Sequence, residues 1–148
     1  MPVKIPPAQI QNLQQIEAVV VGPDESNRLL IIDGQFDVTL QAVSEGQLAS
    51  QKETFAVLVG PVFARQQFTR AIATASFTKT RFSVVPSNAG ASWQILGVDA
   101  DWDDESGQVE LRIEAQVDTR GGTPNVSSNA GIDGFTFHVT ILAAVPAA

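Results

Sequence analysis

Five acidic side chains crowd into seven consecutive residues, 99–105, and offer the most evident chemistry in this sequence. Calcium binds about six to eight oxygen ligands, and carboxylates at positions 1, 3 and 5 of a curled loop can supply several of them. Asp99, Asp101 and Asp103 have this spacing, and Glu110 falls at the twelfth position of the same segment. One interpretation of these residues is therefore a weak calcium site.

A hairpin tip kept in water by its charges is the competing interpretation of the same acids. Asp104 occupies the sixth position, where a calcium loop needs glycine for its sharp turn. The flanking segments also read as strands, whereas helices flank the loop of a calcium-binding hand. We therefore favour the solvated tip and expect no other cofactor.

The basic residues are separated from the acids along the chain. No acid occurs from Thr54 to Val98, and four cations lie in that stretch: Arg65, Arg70, Lys79 and Arg81. Within one molecule, these cations can pair with acids on neighbouring strands. Between molecules, they can face the acidic tip of the next copy in a head-to-tail contact, which builds rings or filaments. Both interpretations stay open, and the second adds three acids to the candidate interface: Asp103, Asp104 and Glu105.

The remaining chemical groups are few, and none forms a catalytic motif. The chain has no Cys, which excludes disulfides, thiolate metal sites and a Cys nucleophile. Its single histidine, His138, lies on the polar side of a predicted strand without an evident Ser or Asp partner in the sequence. No nucleotide-binding glycine loop, nucleophile elbow or zinc-protease motif occurs. We therefore expect a protein that is not an enzyme.

Two tryptophans, Trp93 and Trp102, could anchor a ligand or a partner if their rings were exposed. The alternation of the segment places Trp102 with the residues that face the core, namely Leu96, Val98 and Ala100. Trp93 is therefore the candidate ligand-binding residue.

Composition and charge exclude several classes of protein. With 44% hydrophobic and 17% charged residues, the chain is too apolar to be disordered. A net charge of -7 disfavours binding to nucleic acid or to an anionic membrane. No apolar run is long enough for membrane insertion. The N-terminus lacks the pattern of a secretory signal, so we expect synthesis in the cytoplasm, with a later place in a particle as an option.

The elements that position these residues are predicted to be strands, because Val, Ile and Thr make up a quarter of the chain. The clearest strand is 108–117, in which apolar and polar residues alternate strictly. It most simply forms a hairpin with 93–102. Another strand covers 135–145. The segment 70–85 is unusually long and rich in Thr and Ser, which indicates exposure on both faces or a bulge.

The other segments are less regular. Residues 28–43 contain Asp33-Gly34, which favours either a tight turn or a bulge within one longer strand. The spacing of apolar residues allows one short helix over 8–15. The Gly- and Ser-rich stretch 119–131 reads as a long exposed loop.

The predicted fold is all-β, an antiparallel β-sandwich of about seven to nine strands, with a barrel as the second choice. A length of 148 residues fits one domain, 1–148. Three prolines, Pro2, Pro6 and Pro7, should stiffen residues 1–9 into an extended N-terminal arm.

Elimination leaves a structural role as the first hypothesis. We expect a β-sandwich subunit that associates with itself or with other subunits of an assembly, such as a capsid, tail, injection apparatus or surface fibre. Its contacts would be strand edges, the arm and the two charged regions. The alternative is a monomeric recognition module for a ligand or protein, with a divalent ion at the acidic hairpin 99–105.

Overall fold

The computed structural model describes residues 1–21, 26–85, 89–121 and 127–144 of the chain. These residues form eight strands and two short 3-10 turns, at Pro7–Gln9 and Arg65–Gln67. The strands are β1 (Val3–Lys4), β2 (Gln11–Val21), β3 (Ser26–Glu45), β4 (Leu48–Val59), β5 (Phe68–Val85), β6 (Ala89–Trp102), β7 (Val109–Gly121) and β8 (Ser127–Ala144).

The strands pair into two sheets of four. The first sheet has the order β1-β4-β7-β6, and the second has the order β2-β3-β8-β5. Every pairing is antiparallel except that of β1 with β4. Over the described residues no pairing joins the two sheets, so the predicted sandwich is confirmed over the closed alternative. No described helix has the length and hydropathy needed to cross a membrane.

The core lies between the inner faces of β7 and β8, the central strands that the sequence marks most clearly. In β7, every second residue from Val109 to Val117 is fully buried. In β8, the ring of Phe135 lies 5.8, 5.6 and 5.7 Å from those of Phe36, Phe55 and Phe77. Phe135 therefore joins β3 and β5 of its own sheet to β4 of the other.

The predicted hairpin and the predicted long strand are both confirmed. β6 pairs with β7 along its length, and residues 103–107 form the connecting turn. β5 is an edge strand, and its pairing with β8 shifts register between Phe77 and Thr80. Ile72 precedes these shifts and Arg81 follows them. Both side chains lie outside the core, although one has an even residue number and the other an odd one. The bulge explains why strict alternation fails along this segment.

Asp33-Gly34 does not turn the chain. Both residues pair with β8 inside the single strand β3, and the irregularity lies farther on, between Asp37 and Leu40. The interpretation as one longer strand is therefore correct, and the position of its bulge is corrected.

Two other expectations are wrong. Residues 8–15 form no helix, because only Pro7–Gln9 make a 3-10 turn and β2 begins at Gln11. The segment forms an irregular strand in spite of its helix-like spacing of apolar residues, with a register shift between Gln11 and Gln14 and Asn12 at φ 52°. Within the predicted loop 119–131, residues 119–121 belong to β7 and 127–131 to β8, and residues 122–126 lie outside the described residues.

The N-terminal arm lies against its own molecule. β1 pairs in parallel with β4, and the Ile5 N–H donates to the Ala56 carbonyl at 2.8 Å. The Ile5 side chain is buried in the core. The arm therefore crosses from the edge of the first sheet to β2 at the edge of the second.

Candidate functional site

The carboxylates of the acidic hairpin lie on β6, on β7 and in the turn that connects them. Asp99 and Asp101 are exposed on β6, opposite Arg112 and Glu110 of β7. Asp103 turns back into the hairpin, where its Oδ2 accepts the Ser106 N–H at 3.0 Å and the Ser106 hydroxyl at 2.6 Å. Asp99, Asp101, Asp103 and Glu110 line one cavity together with Arg112, and Asp103 is already bonded to Ser106.

The proposed calcium ligands gain no support from this arrangement. The Arg112 guanidinium bonds to the Glu110 carboxylate, which places a cation among the acids. Among the described residues, no group of three or more His, Asp or Glu side chains is arranged to hold a metal ion. A weak calcium site at Asp99, Asp101, Asp103 and Glu110 stays a prediction.

Asp103 instead serves as a structural acceptor in the turn. The two hydrogen bonds from Ser106 lower the pKa of the Asp103 carboxyl below its ordinary value, and the charge of Lys4 adds to this effect. A carboxyl with a depressed folded pKa stabilises the protein above its unfolded pKa and loses that contribution as the pH falls through its folded pKa.

Replacing Asp103 by Asn should therefore lower the melting temperature at pH 7 and have little effect well below pH 3.8, the ordinary aspartate value. Thermal melts of both proteins between pH 7 and pH 2.5 measure this difference. Asp104→Asn removes the same charge from the next, exposed position and should change the melting temperature little. If Asp103→Asn lowered the melting temperature by the same amount at every pH, the assignment of Asp103 as a charged hydrogen-bond acceptor would be contradicted.

Two of the four candidate basic residues pair within their own sheet. Lys79 Nζ lies 3.3 Å from the Asp37 carboxylate of β3. The Arg81 guanidinium makes two bonds to the Asp133 carboxylate of β8, at 2.9 and 3.2 Å. Both contacts follow the interpretation in which cations pair within one molecule: Arg81 pairs with the neighbouring strand, and Lys79 reaches across β8 to β3.

Arg65 and Arg70 differ from that pair. Neither has an acidic group within 4.0 Å among the described residues. The Arg65 guanidinium instead lies over the Trp102 ring, 5.6 Å from its centroid. Arg70 is exposed near the start of β5. Arg65 and Arg70 are therefore available for a contact with the acidic tip of another molecule.

Trp93 and Trp102 both face the core, although nine positions separate them. An extra residue, Leu96, bulges out of β6 between Ile95 and Gly97 and reverses the alternation. The Trp93 indole donates to the Gly131 carbonyl and the Trp102 indole to the Phe63 carbonyl, each at 3.0 Å. Leu96 is 43% exposed, so its predicted place on the core side with Trp102 is corrected. Trp93 is half-buried, and its role as a ligand-binding residue stays a prediction.

His138 has a partner that lies far from it in the sequence. Its Nδ1 contacts the carboxylate of Asp33 across the β3–β8 ladder, and its Nε2 lies 3.4 Å from the Thr140 hydroxyl. The order acid, imidazole, hydroxyl resembles a catalytic triad in residue type only. The 3.4 Å distance exceeds ordinary hydrogen-bond reach for a base, and the group lies on the exposed face of a central strand whose backbone pairs on both sides.

The largest unexplained surface is β2. All eleven of its residues are exposed, including five large apolar ones: Leu13, Ile16, Val19, Val20 and Val21. Within the described chain, β2 packs extensively on β3 alone, and its other edge carries no strand. Proteins usually protect such edges with Lys, Pro or short length, and β2 has none of these.

Comparison with known proteins gives no further guide. No family model, curated protein or solved structure matches the chain. A functional assignment therefore depends on the surfaces described above.

Sequence reasoning missed β2 as a surface, although a signal was present. Val19, Val20 and Val21 are consecutive, so they place apolar side chains on both faces of a strand. Such a run is typical of a buried strand, and only the sheet order reveals that β2 lies at an edge.

Proposed function

We propose that this protein is a non-enzymatic structural subunit that associates with itself or docks into a larger assembly, of the capsid, tail, injection apparatus or surface-fibre type. The exposure of β2 carries this proposal. Over the residues that the structure describes, β2 has an unpaired edge and apolar side chains on both faces. Such a strand is a template for pairing with another chain.

The distribution of charge supports the same function. Lys79 and Arg81 are neutralised by internal partners, whereas Arg65 and Arg70 are exposed near the end of the sandwich that carries the acidic hairpin. A basic region and an acidic tip at the same end of the molecule can meet their counterparts on a second copy and add a charged contact to the apolar one.

The absolute mass in solution tests the function directly. Light scattering after size exclusion, over a wide concentration range and at two salt concentrations, should give a mass above the 15.7 kDa of one chain. A mass that falls with added salt would assign the contact to charged surfaces, since salt screens exposed charges. A single-chain mass at every concentration would favour the alternative, a monomeric recognition module.

Reversing Arg65 and Arg70 together, as Arg65→Glu with Arg70→Glu, should weaken self-association at low salt. The control reverses Lys52 and Arg120, two exposed cations of the first sheet, and lowers the net charge equally. Association constants from sedimentation equilibrium compare the two. Equal constants for both double variants would remove the charged contact from the proposal.

A further inference from the structure

The free edge of β2 has a regular part and a fixed facing pattern. Its ladder with β3 is continuous from Gln14 to Val21, after the shift near Asn12. Ile16, Ala18 and Val20 lie opposite Ile31, Leu29 and Asn27 and share the outer face of the sheet with them. This outer face is therefore apolar along the edge.

The second copy of the chain is the partner whose chemistry fits this edge. Each copy carries a net charge of -7, so two copies repel each other at long range. Along β2 the one charged residue is Glu17, and Arg28 of the same molecule already neutralises it at 2.5 Å. The β2 edge is thus the place where two acidic molecules can approach each other without bringing like charges together.

Two-fold symmetry leaves few registers for pairing β2 with itself. In an antiparallel pair, two residues that lie opposite each other direct their N–H and C=O groups either both towards the partner strand or both away from it. When both strands are copies of β2, the two-fold axis must therefore pass between the two copies of one residue. An axis at Glu17 would place the two carboxylates directly opposite each other, which is unfavourable. An axis at Ala18 pairs Ile16 with Val20 of the other copy and uses the regular ladder from Gln15 to Val21.

The Ala18 register also makes the apolar outer face continuous. Ile16, Ala18 and Val20 of one copy would lie beside Val20, Ala18 and Ile16 of the other, with Leu29 and Ile31 flanking them in each. Stable interfaces involve about 20–30 residues a side. The eleven residues of β2 supply about half of the lower figure, and their outer-face neighbours on β3 add to them.

From these observations we infer that two copies of this chain pair edge to edge through β2, antiparallel and two-fold symmetric about Ala18, to form one continuous eight-stranded sheet. This inference rests on the proposed function and names its partner and its contact. Because the contact is isologous, it closes at two copies, and growth beyond the dimer needs another surface.

The first test places a charge on the proposed contact and on a matched control. Val20→Lys should raise the dissociation constant at least about tenfold, because a lysine on an edge strand opposes pairing with another strand. Ile72→Lys, on the outer face of the opposite edge strand β5, should leave it unchanged. Val20 is 50% exposed and Ile72 is 52% exposed, so neither change disturbs the core. Sedimentation equilibrium gives the constants, and circular dichroism melts check the fold.

The second test reads the register through a single introduced cysteine, since the chain has none. Under mild oxidation, Ala18→Cys should form a disulfide-linked dimer, because two Ala18 positions meet on the axis. Ile16→Cys should form it much more slowly, because its opposite residue is Val20.

The outcomes separate the inference from the function. A wild-type protein that stays monomeric overturns both. A wild-type oligomer that Val20→Lys leaves intact overturns the β2 contact while the structural role stands. Faster cross-linking of Ile16→Cys than of Ala18→Cys overturns the register.

Discussion

Replacing Phe135 by Ala should lower the free energy of unfolding by about 3–5 kcal/mol, the usual cost of removing a buried aromatic ring. Phe135 is fully buried, and its ring lies within 6 Å of three other phenylalanine rings on β3, β4 and β5. Because these rings come from both sheets, little can collapse into the cavity. Urea unfolding followed by circular dichroism measures the change.

Phe82→Ala is the matched control for this substitution. Phe82 is 37% exposed and has one aromatic neighbour, Trp93, at 6.3 Å. Because less of its surface leaves water on folding, the loss should be closer to about 1 kcal/mol. Equal losses for the two variants would show that the contacts between the sheets do not depend on Phe135.

Gly34→Ala should destabilise the protein by about 1–3 kcal/mol, as overpacking of a core typically does. A Cβ at Gly34 would lie 2.7 Å from Phe137 Cζ and 3.0 Å from Ile10 Cγ2. Phe137 is buried in β8 and lies opposite Gly34, so its ring cannot move away into solvent. Urea unfolding of the variant, compared with the wild type, gives the difference.

Gly97→Ala controls for the loss of a strand glycine. A Cβ at Gly97 meets no atom within 4 Å, and the residue has no positive φ. Its replacement should be neutral or stabilise by up to about 1 kcal/mol, through a lower entropy of the unfolded chain. If Gly97→Ala costs as much as Gly34→Ala, the close approach of Phe137 is not the cause.

The sequence predicts those strands in which the alternation of apolar and polar residues matches the burial that the neighbouring strands impose. β7 is flanked by strands on both sides and covered on one face, so its buried and exposed residues alternate without interruption. β6 does not, because the bulge at Leu96 reverses the alternation and brings Trp93 to the core. A bulge depends on the neighbouring strand, and the strand's own residues do not specify it.

The candidate surfaces were predictable to different degrees for the same reason. The acidic hairpin follows from local residues, since its turn connects adjacent strands. The partners of Lys79, Arg81 and His138 lie between 42 and 105 positions away, and only strand order brings them together. The exposure of β2 likewise requires knowing that no strand of the first sheet covers it.

The position of β8 affects how the protein is synthesised. β8 lies between β3 and β5 in the sheet although it follows both in the chain. Roughly eighty residues separate the end of β3 from Ser127, which a ribosome adds in about 4–16 s at about 5–20 residues per second. During those seconds β3 has no β8 to pair with, and β5 lacks it as well from its completion at Val85 onwards. The nascent chain then presents their unpaired edges to chaperones and to neighbouring chains.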